Sequence, residues 1–437
     1  MNMSPIQISI KDYKAVKSAE IGLNGITLIS GINGSGKSSI SRLLYYAFKY
    51  ANDYESIASD SVMPELRQIG RLVSNLTMGL RRGVSSVEMR NYYRHAEDAN
   101  SIEVKIDAYC AALELFKEFV VENENTLDSN DANVLKRIRS IIDDSILEKR
   151  KNKDASLSEM IEDVIKKTQG IKEKVLGLSS VRGYALYRQY LTEVLESDLK
   201  GVRIAEYGVP FVGKEVSNVP VLSFIQQAVY IDTPMIVGMN RRVWYPIMEY
   251  WKDLNDLLEI PVQKSYSHAI NQYIKNVIHG GSYYDDSLSF KGNMKYKRDD
   301  GLVIDLLDSA TGIKSFSLLQ TLLRNGVLSE NTLLVIDEPE AHLHPQWIVE
   351  YARIIIMLHK KLGTKFFIAS HSTDFVSAMK YIAEKEKVSK SVSFYLAEED
   401  LNKPFSYNYK SIGTDIEPIF ASFNKSLDKI GEYGGWQ

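Results

Sequence analysis

Residues 29–39 read ISGINGSGKSS, and this stretch decides the fold. From Gly31 to Ser38 it matches the phosphate-binding pattern G-x-x-x-x-G-K-[ST]. An apolar run at 26–30 precedes it and a helical pattern at 39–48 follows, which is the strand, loop and helix order that the pattern requires. The sequence therefore predicts a loop that holds phosphate groups. The alternative interpretation is a glycine-rich turn with a surface lysine.

The chemistry of the loop follows from its residue types. Glycines let the backbone curl until successive N–H groups point inward, and the following helix adds the positive end of its dipole. Lys37 is expected to reach the β- and γ-phosphates of a nucleotide, and Ser38 to bind Mg²⁺. The loop residues that we expect to bind ATP are Gly31, Asn33, Gly34, Ser35, Gly36, Lys37, Ser38 and Ser39.

Composition indicates a globular protein without a disulfide framework. Of the 437 residues, 44% are hydrophobic and 25% are charged, and the formal net charge of -3 gives no global signal for binding polyanions. Cys110 is the only cysteine, which excludes cysteine-based zinc sites. The N-terminus lacks a signal-peptide pattern and no apolar run is long enough to span a bilayer, so we expect a cytoplasmic protein without a membrane partner.

The sequence pattern changes twice along the chain. Between about residues 50 and 201 prolines become rare, charges increase and apolar residues recur at helical spacing. Unbroken apolar runs at 332–336 and 365–369, joined by a helical pattern, indicate a parallel sheet covered on both faces. We therefore predict a split α/β head and a helical insertion lobe, with the head at 1–50 and 221–437 and the lobe at 51–220.

An acidic pair follows the first of these apolar runs. Asp337 and Glu338 end the strand Leu333–Ile336, which is where a magnesium-dependent nucleotide hydrolase needs carboxylates. Asp337 is predicted to hold the metal, directly or through water, and Glu338 to polarise the attacking water.

A histidine follows the second run. His371 lies just past the predicted strand, so its imidazole is expected at the same edge of the sheet, within reach of the γ-phosphate. The alternative is a structural histidine that caps the next helix, although Ser370 or Ser372 can also fill that position.

Two more segments accompany these motifs. In Glu340–Pro345, His342 and His344 resemble a pair of metal ligands, but no third ligand is near, so we favour a loop at a subunit interface. In Asp308–Ser315, small residues and Gly312 precede a helical pattern, which predicts a second anion-binding nest. Taken alone, the latter segment would be an ordinary helix N-terminus.

These parts, in this order, resemble the ATP-binding-cassette (ABC) ATPase head of the SMC, RecF and OLD-like group. The resemblance covers about residues 3–50 and 220–400, and it implies an α/β P-loop NTPase fold of the ABC type, with a mixed sheet flanked by helices and a helical insertion. The corresponding segments are Gly31–Ser38 for Walker A, Leu333–Glu338 for Walker B with the catalytic glutamate, Glu340–Pro345 for the D-loop, Ser370–Ser372 for the switch histidine and Asp308–Ser315 for the signature motif.

The sequence departs from the family pattern in two places. The signature normally carries a serine two residues before its second glycine, and here that residue is Ala310. Ser309 or Thr311 can replace its hydroxyl, while the contact from the Gly312 N–H is retained. The Q-loop residue is also not obvious, and the candidates are Gln226, Gln227 and Asp232.

The resemblance implies that two copies of the chain close over ATP and Mg²⁺. Ser309, Thr311 and Gly312 of one copy would then contact the nucleotide held by the other, giving a homodimer or higher homo-oligomer. Glu338 and His371 would be the catalytic residues of a slow ATPase, and Ser38 and Asp337 the metal ligands. The lobe would be the readout device. Its arginine-rich start indicates either phosphate contact, which makes nucleic acid a possible partner, or a solvated helical face. The arginines of this segment are Arg67, Arg71, Arg81, Arg82, Arg90 and Arg94.

Stand-alone heads of this kind resemble ATPase components of bacterial anti-phage systems such as Septu, PARIS and the retron-associated ATPases. This implies a sensor or scaffold that controls a separate effector, such as a nuclease or toxin. One alternative is a RecF-like ATPase that acts directly on DNA in repair or recombination. Another is a nucleotide-gated structural module with negligible turnover.

Overall fold

The computed structural model describes residues 4–79, 84–99, 101–123, 139–140, 142, 156–234, 249–263, 266–285, 293–341 and 343–421. The chain forms two compact units. The first, the head, consists of Met1–Asn52 and Arg188–Gln437, and the second, the lobe, of Asp53–Tyr187.

A large mixed sheet forms the centre of the head. Its order is β5-β4-β1-β2-β13-β12-β3-β11-β10-β6. The strands are β1 (Ile6–Tyr13), β2 (Val16–Leu23), β3 (Ile26–Ser30), β4 (Val202–Glu206), β5 (Val209–Val212), β6 (Gln227–Ile231), β10 (Thr332–Asp337), β11 (Lys365–Ser370), β12 (Val392–Glu399) and β13 (Tyr407–Gly413). A separate antiparallel sheet contains β7 (Gly280–Asp285), β8 (Asn293–Arg298) and β9 (Val303–Asp305).

Strand direction divides the large sheet into two parts. From β12 to β6 all neighbours are parallel, whereas β1 pairs antiparallel with both β2 and β4. Every residue of β3, β10 and β11 is buried, as expected for parallel strands covered on both faces. The predicted α/β fold with a mixed sheet is therefore confirmed.

Helices cover the parallel part of the sheet. Leu334 and Phe366 on the strands and Phe316 and Ile355 on the helices belong to one fully buried cluster of the core. The head helices are α1 (Lys37–Asn52), α7 (Glu249–Leu258), α8 (His268–Ile278), α9 (Thr311–Arg324), α10 (Pro345–Leu362) and α11 (Thr373–Lys385).

The lobe is helical and has its own core. Its described helices are α2 (Tyr54–Gly79), α3 (Val84–Asp98), α4 (Ile102–Asn123) and α5 (Leu157–Val181), and α6 (Tyr184–Leu195) follows. Leu66, Phe116 and Ile161 are among the buried residues of the core. Ser156 and Glu159 form a capping box that fixes the start of α5. Residues 134–147, where the sequence also has apolar residues at helical spacing, fall mostly outside the described residues.

The boundary of the insertion differs from the prediction. The sequence pattern extended the lobe to residue 220, but the compact unit ends at Tyr187. The difference arises because β4 and β5 belong to the head sheet, where β4 pairs antiparallel with β1. Short edge strands that pair with residues far away in the chain leave little local signal. Within the described residues, the helices are too short or too polar to cross a bilayer.

Candidate nucleotide-binding site

The sheet register brings the predicted motifs to one edge. Asp337 pairs with Ala369, and Ala369 pairs with Ile29, so β3, β10 and β11 end side by side. The glycine-rich loop, the acidic pair and His371 follow these three ends. Ligands of open α/β sheets bind at the carboxyl ends of parallel strands, which makes this edge the candidate site.

Glycine is required at three positions of the loop. Gly34 and Gly36 have φ angles of +82° and +93°, which other residues rarely adopt. A Cβ atom on Gly31 would lie 2.7 Å from Cβ of Ala397, so the neighbouring strand leaves no room for a side chain. Asn33, Gly34 and Ser38 are exposed, so the loop presents its tip to solvent.

Lys37 is buried at the start of α1. Its Nζ donates hydrogen bonds to the carbonyl oxygens of Gly31 at 2.7 Å and Ile32 at 3.1 Å. Among the described residues no carboxylate forms an ion pair with it. Burial lowers the pKa of the Lys37 ammonium, while the nearby carboxylates oppose this shift. A buried cation without an anionic partner is costly, and a phosphate group would compensate it.

Asp337 is also buried, opposite the loop. Its carboxylate accepts hydrogen bonds from Ser41 Oγ at 2.5 Å and from the Tyr230 hydroxyl at 2.8 Å. Burial raises the pKa of Asp337, and hydrogen bonding from Ser41, Tyr230 and Ser38 opposes this shift. Together with the Ser35 hydroxyl, which is buried without a partner, these groups fit a magnesium-bound triphosphate.

The sequence interpretation missed Ser41 and Tyr230. Ser41 lies one turn after Lys37 on the same helix, so helical spacing could have identified it. Tyr230 lies on β6 and depends on the pairing of that strand with β10. Tyr409 on β13 was also missed, and its hydroxyl donates to the Ser35 carbonyl at 3.2 Å.

Glu338 has an unusual backbone conformation. Its φ is +50°, in the left-handed region that costs a non-glycine residue about 1 kcal/mol. The Glu338 N–H donates to the Ala369 carbonyl at 2.8 Å, which anchors this turn to β11. The half-exposed carboxylate lies 3.3 Å from Nδ1 of His371.

Glu340 fixes the segment that carries His371. The buried Glu340 Oε1 accepts hydrogen bonds from Ser370 Oγ at 2.8 Å and from the His371 N–H at 2.9 Å. It also lies 3.4 Å from His371 Nδ1. The cap of α11 is Ser372, whose hydroxyl accepts from the Phe375 N–H at 3.2 Å. His371 therefore does not have the capping role that the sequence left open.

The predicted signature lies at the start of α9. Ser309 is buried and its hydroxyl donates to the Leu306 carbonyl at 2.7 Å, whereas Thr311 is half-buried. Ala310 is exposed and makes no side-chain hydrogen bond to cap the helix. A Cβ on Gly312 would lie 2.5 Å from ring atoms of Trp347, so this glycine is needed within the chain itself.

The direction of β6 places the Q-loop candidates at opposite edges of the sheet. Gln226 precedes and Gln227 begins β6, which places both at the sheet edge opposite the glycine-rich loop. Asp232 immediately follows β6, at the same edge as Asp337. Its carboxylate accepts hydrogen bonds from the Tyr250 hydroxyl at 2.7 Å and the Trp251 indole at 2.8 Å.

His344 of the histidine pair caps a helix. His344 begins α10, and its Nδ1 accepts from the Gln346 N–H at 3.4 Å, which is a capping interaction. His342 lies outside the described residues. Among the residues that are described, no group of three or more histidine, cysteine, aspartate or glutamate side chains could hold a metal ion.

Two family models match successive parts of the chain. Residues 3–192 match the model described as "AAA ATPase domain". Residues 204–377 match the model described as "AAA domain, putative AbiEii toxin, Type IV TA system". The first includes the glycine-rich loop, and the second includes the acidic pair and His371.

Individual known proteins are similar either over a short stretch or at low identity. Over 96 residues, 22% of this chain, the sequence is 31% identical to the Old nuclease of Escherichia phage P2, and the match spans 16% of that protein. The SMC head from Pyrococcus furiosus, solved bound to the C-terminal domain of ScpA, gives a TM-score of 0.33 at 12% identity, covering 97% of this chain and 98% of the other. The SMC head domain from Thermotoga maritima gives 0.37 at 10% identity, covering 94% and 99%.

The two matched parts of the chain meet at one edge of the sheet. The glycine-rich loop after β3 and the acidic pair after β10 fall in different family models, yet the fold brings them together. Both models describe AAA domains, so the chain is similar to AAA ATPase domains along most of its length.

Proposed function

We propose that the chain binds ATP with Mg²⁺ and hydrolyses it between two copies of the head. One observation carries this proposal: Lys37 is buried in the glycine-rich loop without an ion pair among the described residues, beside the carboxylates of Asp337 and Glu338. An arrangement that is unfavourable alone becomes favourable once phosphate and metal are bound.

Each residue at the edge then has a role. Bound Mg²⁺ would neutralise charge on the phosphate oxygens. Ser38 and Asp337 hold the metal, and Ser41 and Tyr230 keep the Asp337 carboxylate in position. Glu338 accepts the proton of the attacking water.

His371 acts next to this base. Glu340 fixes its backbone, and its Nδ1 lies 3.3 Å from the Glu338 carboxylate. The imidazole therefore orients the base and contacts the terminal phosphate.

A second copy completes the site in this proposal. The N-terminus of α9 provides the Gly312 N–H and the positive end of the helix dipole. The Ser309 hydroxyl donates to the Leu306 carbonyl of its own chain, so it does not face a partner in this state. Hydrolysis then removes contacts across the interface and favours separation.

The Glu338→Gln variant tests the proposal. It retains the shape of the site but removes the base, so ATP and Mg²⁺ should give a long-lived dimer in light scattering and little phosphate release. Lys37→Ala should abolish the dimer, whereas Lys49→Ala should not, because Lys49 pairs with Glu249 and Asp253 away from the loop. A Glu338→Gln protein that stays monomeric at saturating ATP would contradict it.

We further propose that the nucleotide state controls a separate effector, a nuclease or toxin, in bacterial anti-phage defence. Two observations support this context: one matching model is described by a toxin–antitoxin system, and the chain is similar to a phage nuclease over 96 residues. Products of adjacent genes should be expressed with and without the chain. Toxicity that is relieved by the chain and restored by Lys37→Ala is the expected result, and a harmless set of neighbours would contradict the role.

A direct role on DNA, as in RecF, is the second candidate. Arg67, Arg71, Arg90 and Arg94 are exposed on α2 and α3, while Arg81 and Arg82 lie outside the described residues. Binding of duplex DNA by the purified chain, weakening steeply with salt, would favour this function over effector control.

A further inference from the structure

A second pocket lies within the helical lobe, between α2, α3 and α4. Its cavity volume is about 180 Å³, and the cavity opens to solvent. Each helix contributes a polar or aromatic pair of residues spaced by four, and such pairs share one helical face. The three pairs are Arg67 and Arg71, Tyr93 and Glu97, and Lys105 and Tyr109.

Three cations line this pocket without an ion-pair partner in the described parts of the chain. Among the described residues, Arg67, Arg71 and Lys105 form no ion pair, and the Arg67 Nε donates only to the Met63 carbonyl at 3.4 Å. Other lysines of the same lobe are paired, such as Lys172 with Asp107 and Lys174 with Glu65. Convergent unpaired cations in a concave site attract an anion.

Other residues of the lining are aromatic, and one provides a hydrogen-bond acceptor. The buried Tyr109 donates its hydroxyl to Glu97 Oε1 at 2.6 Å, which fixes the carboxylate at the pocket. Burial and this carboxylate raise the pKa of Tyr109, so the phenol stays protonated and keeps donating. The Tyr93 ring, half-exposed, lies 6.4 Å from the Tyr109 ring and extends the aromatic surface.

Gly70 allows this wall to form. A Cβ atom at this position would lie 2.5 Å from the Tyr109 hydroxyl oxygen. A larger residue on α2 would therefore displace Tyr109 and, with it, the Glu97 carboxylate.

These features together select one class of ligand. Two guanidinium groups and an ammonium bind phosphate, an exposed tyrosine ring stacks on a base, and a fixed carboxylate accepts from a base or sugar donor. Inorganic phosphate would leave the ring and Glu97 unused. We propose that this lobe pocket binds a nucleoside 5′-phosphate, either free or as the end of a nucleic-acid strand.

The proposal does not depend on the ATPase site. All the lining residues belong to the unit Asp53–Tyr187, whereas the glycine-rich loop belongs to the head. Occupancy of the pocket therefore should not require Lys37, which separates a failure of this proposal from a failure of the proposed ATPase.

Calorimetric titration of the full chain tests it. The probes are AMP, GMP, a 5′-phosphorylated tetranucleotide and inorganic phosphate, each measured on the Lys37→Ala protein as well. Arg67→Ala combined with Arg71→Ala removes two exposed side chains and should weaken binding at least about tenfold. Lys166→Ala combined with Lys167→Ala removes two exposed cations of α5 outside the pocket and is the matched control, and circular dichroism checks that all variants fold.

The outcomes distinguish the source of the ligand. Tighter binding of a mononucleotide identifies a free nucleotide, and tighter binding of the tetranucleotide identifies a strand end. Glu97→Gln should shift the preference between AMP and GMP, which loss of fold alone would not do. The proposal is overturned if inorganic phosphate binds as tightly as the nucleotides, if Lys37→Ala abolishes all binding, or if the Lys166→Ala and Lys167→Ala double variant weakens binding as much as the pocket variant.

Discussion

At the scale of single residues, the candidate site holds opposite charges that are buried and incompletely compensated. Lys37 contacts two carbonyl oxygens, and Asp337 contacts two hydroxyl groups. Burial lowers the pKa of Lys37 and raises the pKa of Asp337, and each shift favours the neutral form of the side chain. Such an arrangement lowers the free energy of unfolding of the unliganded chain, as expected for a site organised for a charged ligand.

Asp337→Asn should therefore stabilise the metal-free chain. Burial raises the pKa of Asp337 in the folded chain. The Asp337 carboxyl therefore contributes its full stability at a pH below its ordinary pKa of 3.8, and this contribution is lost as the pH rises through the pKa of the folded chain. Asparagine does not titrate, so the advantage of the variant should grow with pH. Urea unfolding in EDTA from about pH 4 to about pH 8 measures this difference. A variant that is less stable across the range would contradict the assignment.

Tyr230→Phe should weaken both the fold and metal binding. The variant keeps the buried ring but removes a hydrogen bond to the Asp337 carboxylate, at a cost of about 1.5–3 kcal/mol. It should also raise the Mg²⁺ concentration needed for half-maximal ATP binding. Tyr45→Phe is the control, because Tyr45 donates to Asp253 away from the loop. Equal Mg²⁺ requirements in the two variants would exclude a positioning role for Tyr230.

At the scale of elements, the start of α9 is fixed by its packing on α10. Gly312 is buried against the ring of Trp347, which also contacts Phe316 edge-on at 5.5 Å between ring centroids. The glycine that the signature pattern predicts for a partner's nucleotide is thus also required for contact between two helices of one head.

Gly312→Ala should lower the free energy of unfolding by about 1–3 kcal/mol, because the added methyl group meets the indole. Trp347→Leu in the same chain should recover part of this loss by making room. Urea unfolding of both single variants and the double variant gives the coupling energy. Additive losses would show that the two residues do not compete for the same space.

The strands also show which sequence signals were sufficient to predict an element of the fold. The fully buried strands β3, β10 and β11 and the glycine-rich loop were predicted because each carries its signal within a few residues. The strands β4, β5 and β13 were not, because their pairing with β1 and β2 depends on residues far away in the chain. For the same reason Tyr230 was missed, and Glu340 was identified only as part of a loop.

At the scale of the whole molecule, the chain combines two units with separate hydrophobic clusters. The head cluster surrounds the parallel strands, and the lobe cluster joins α2 to α5. Units that each bury a core of their own can unfold in separate transitions. The two proposed ligands, a triphosphate at the head and a nucleoside phosphate at the lobe, would then each stabilise one transition.

Differential scanning calorimetry should therefore resolve two transitions. ATP with Mg²⁺ at one hundred times its dissociation constant should stabilise one of them by about 2.7 kcal/mol, since only the folded head binds it. Lys37→Ala should abolish that shift without moving the other transition. GMP should instead raise the second transition, and Arg67→Ala combined with Arg71→Ala should remove this effect. A single transition that ATP moves as a whole would mean that the units unfold together, so the nucleotide at Lys37 would then stabilise the lobe as much as the head.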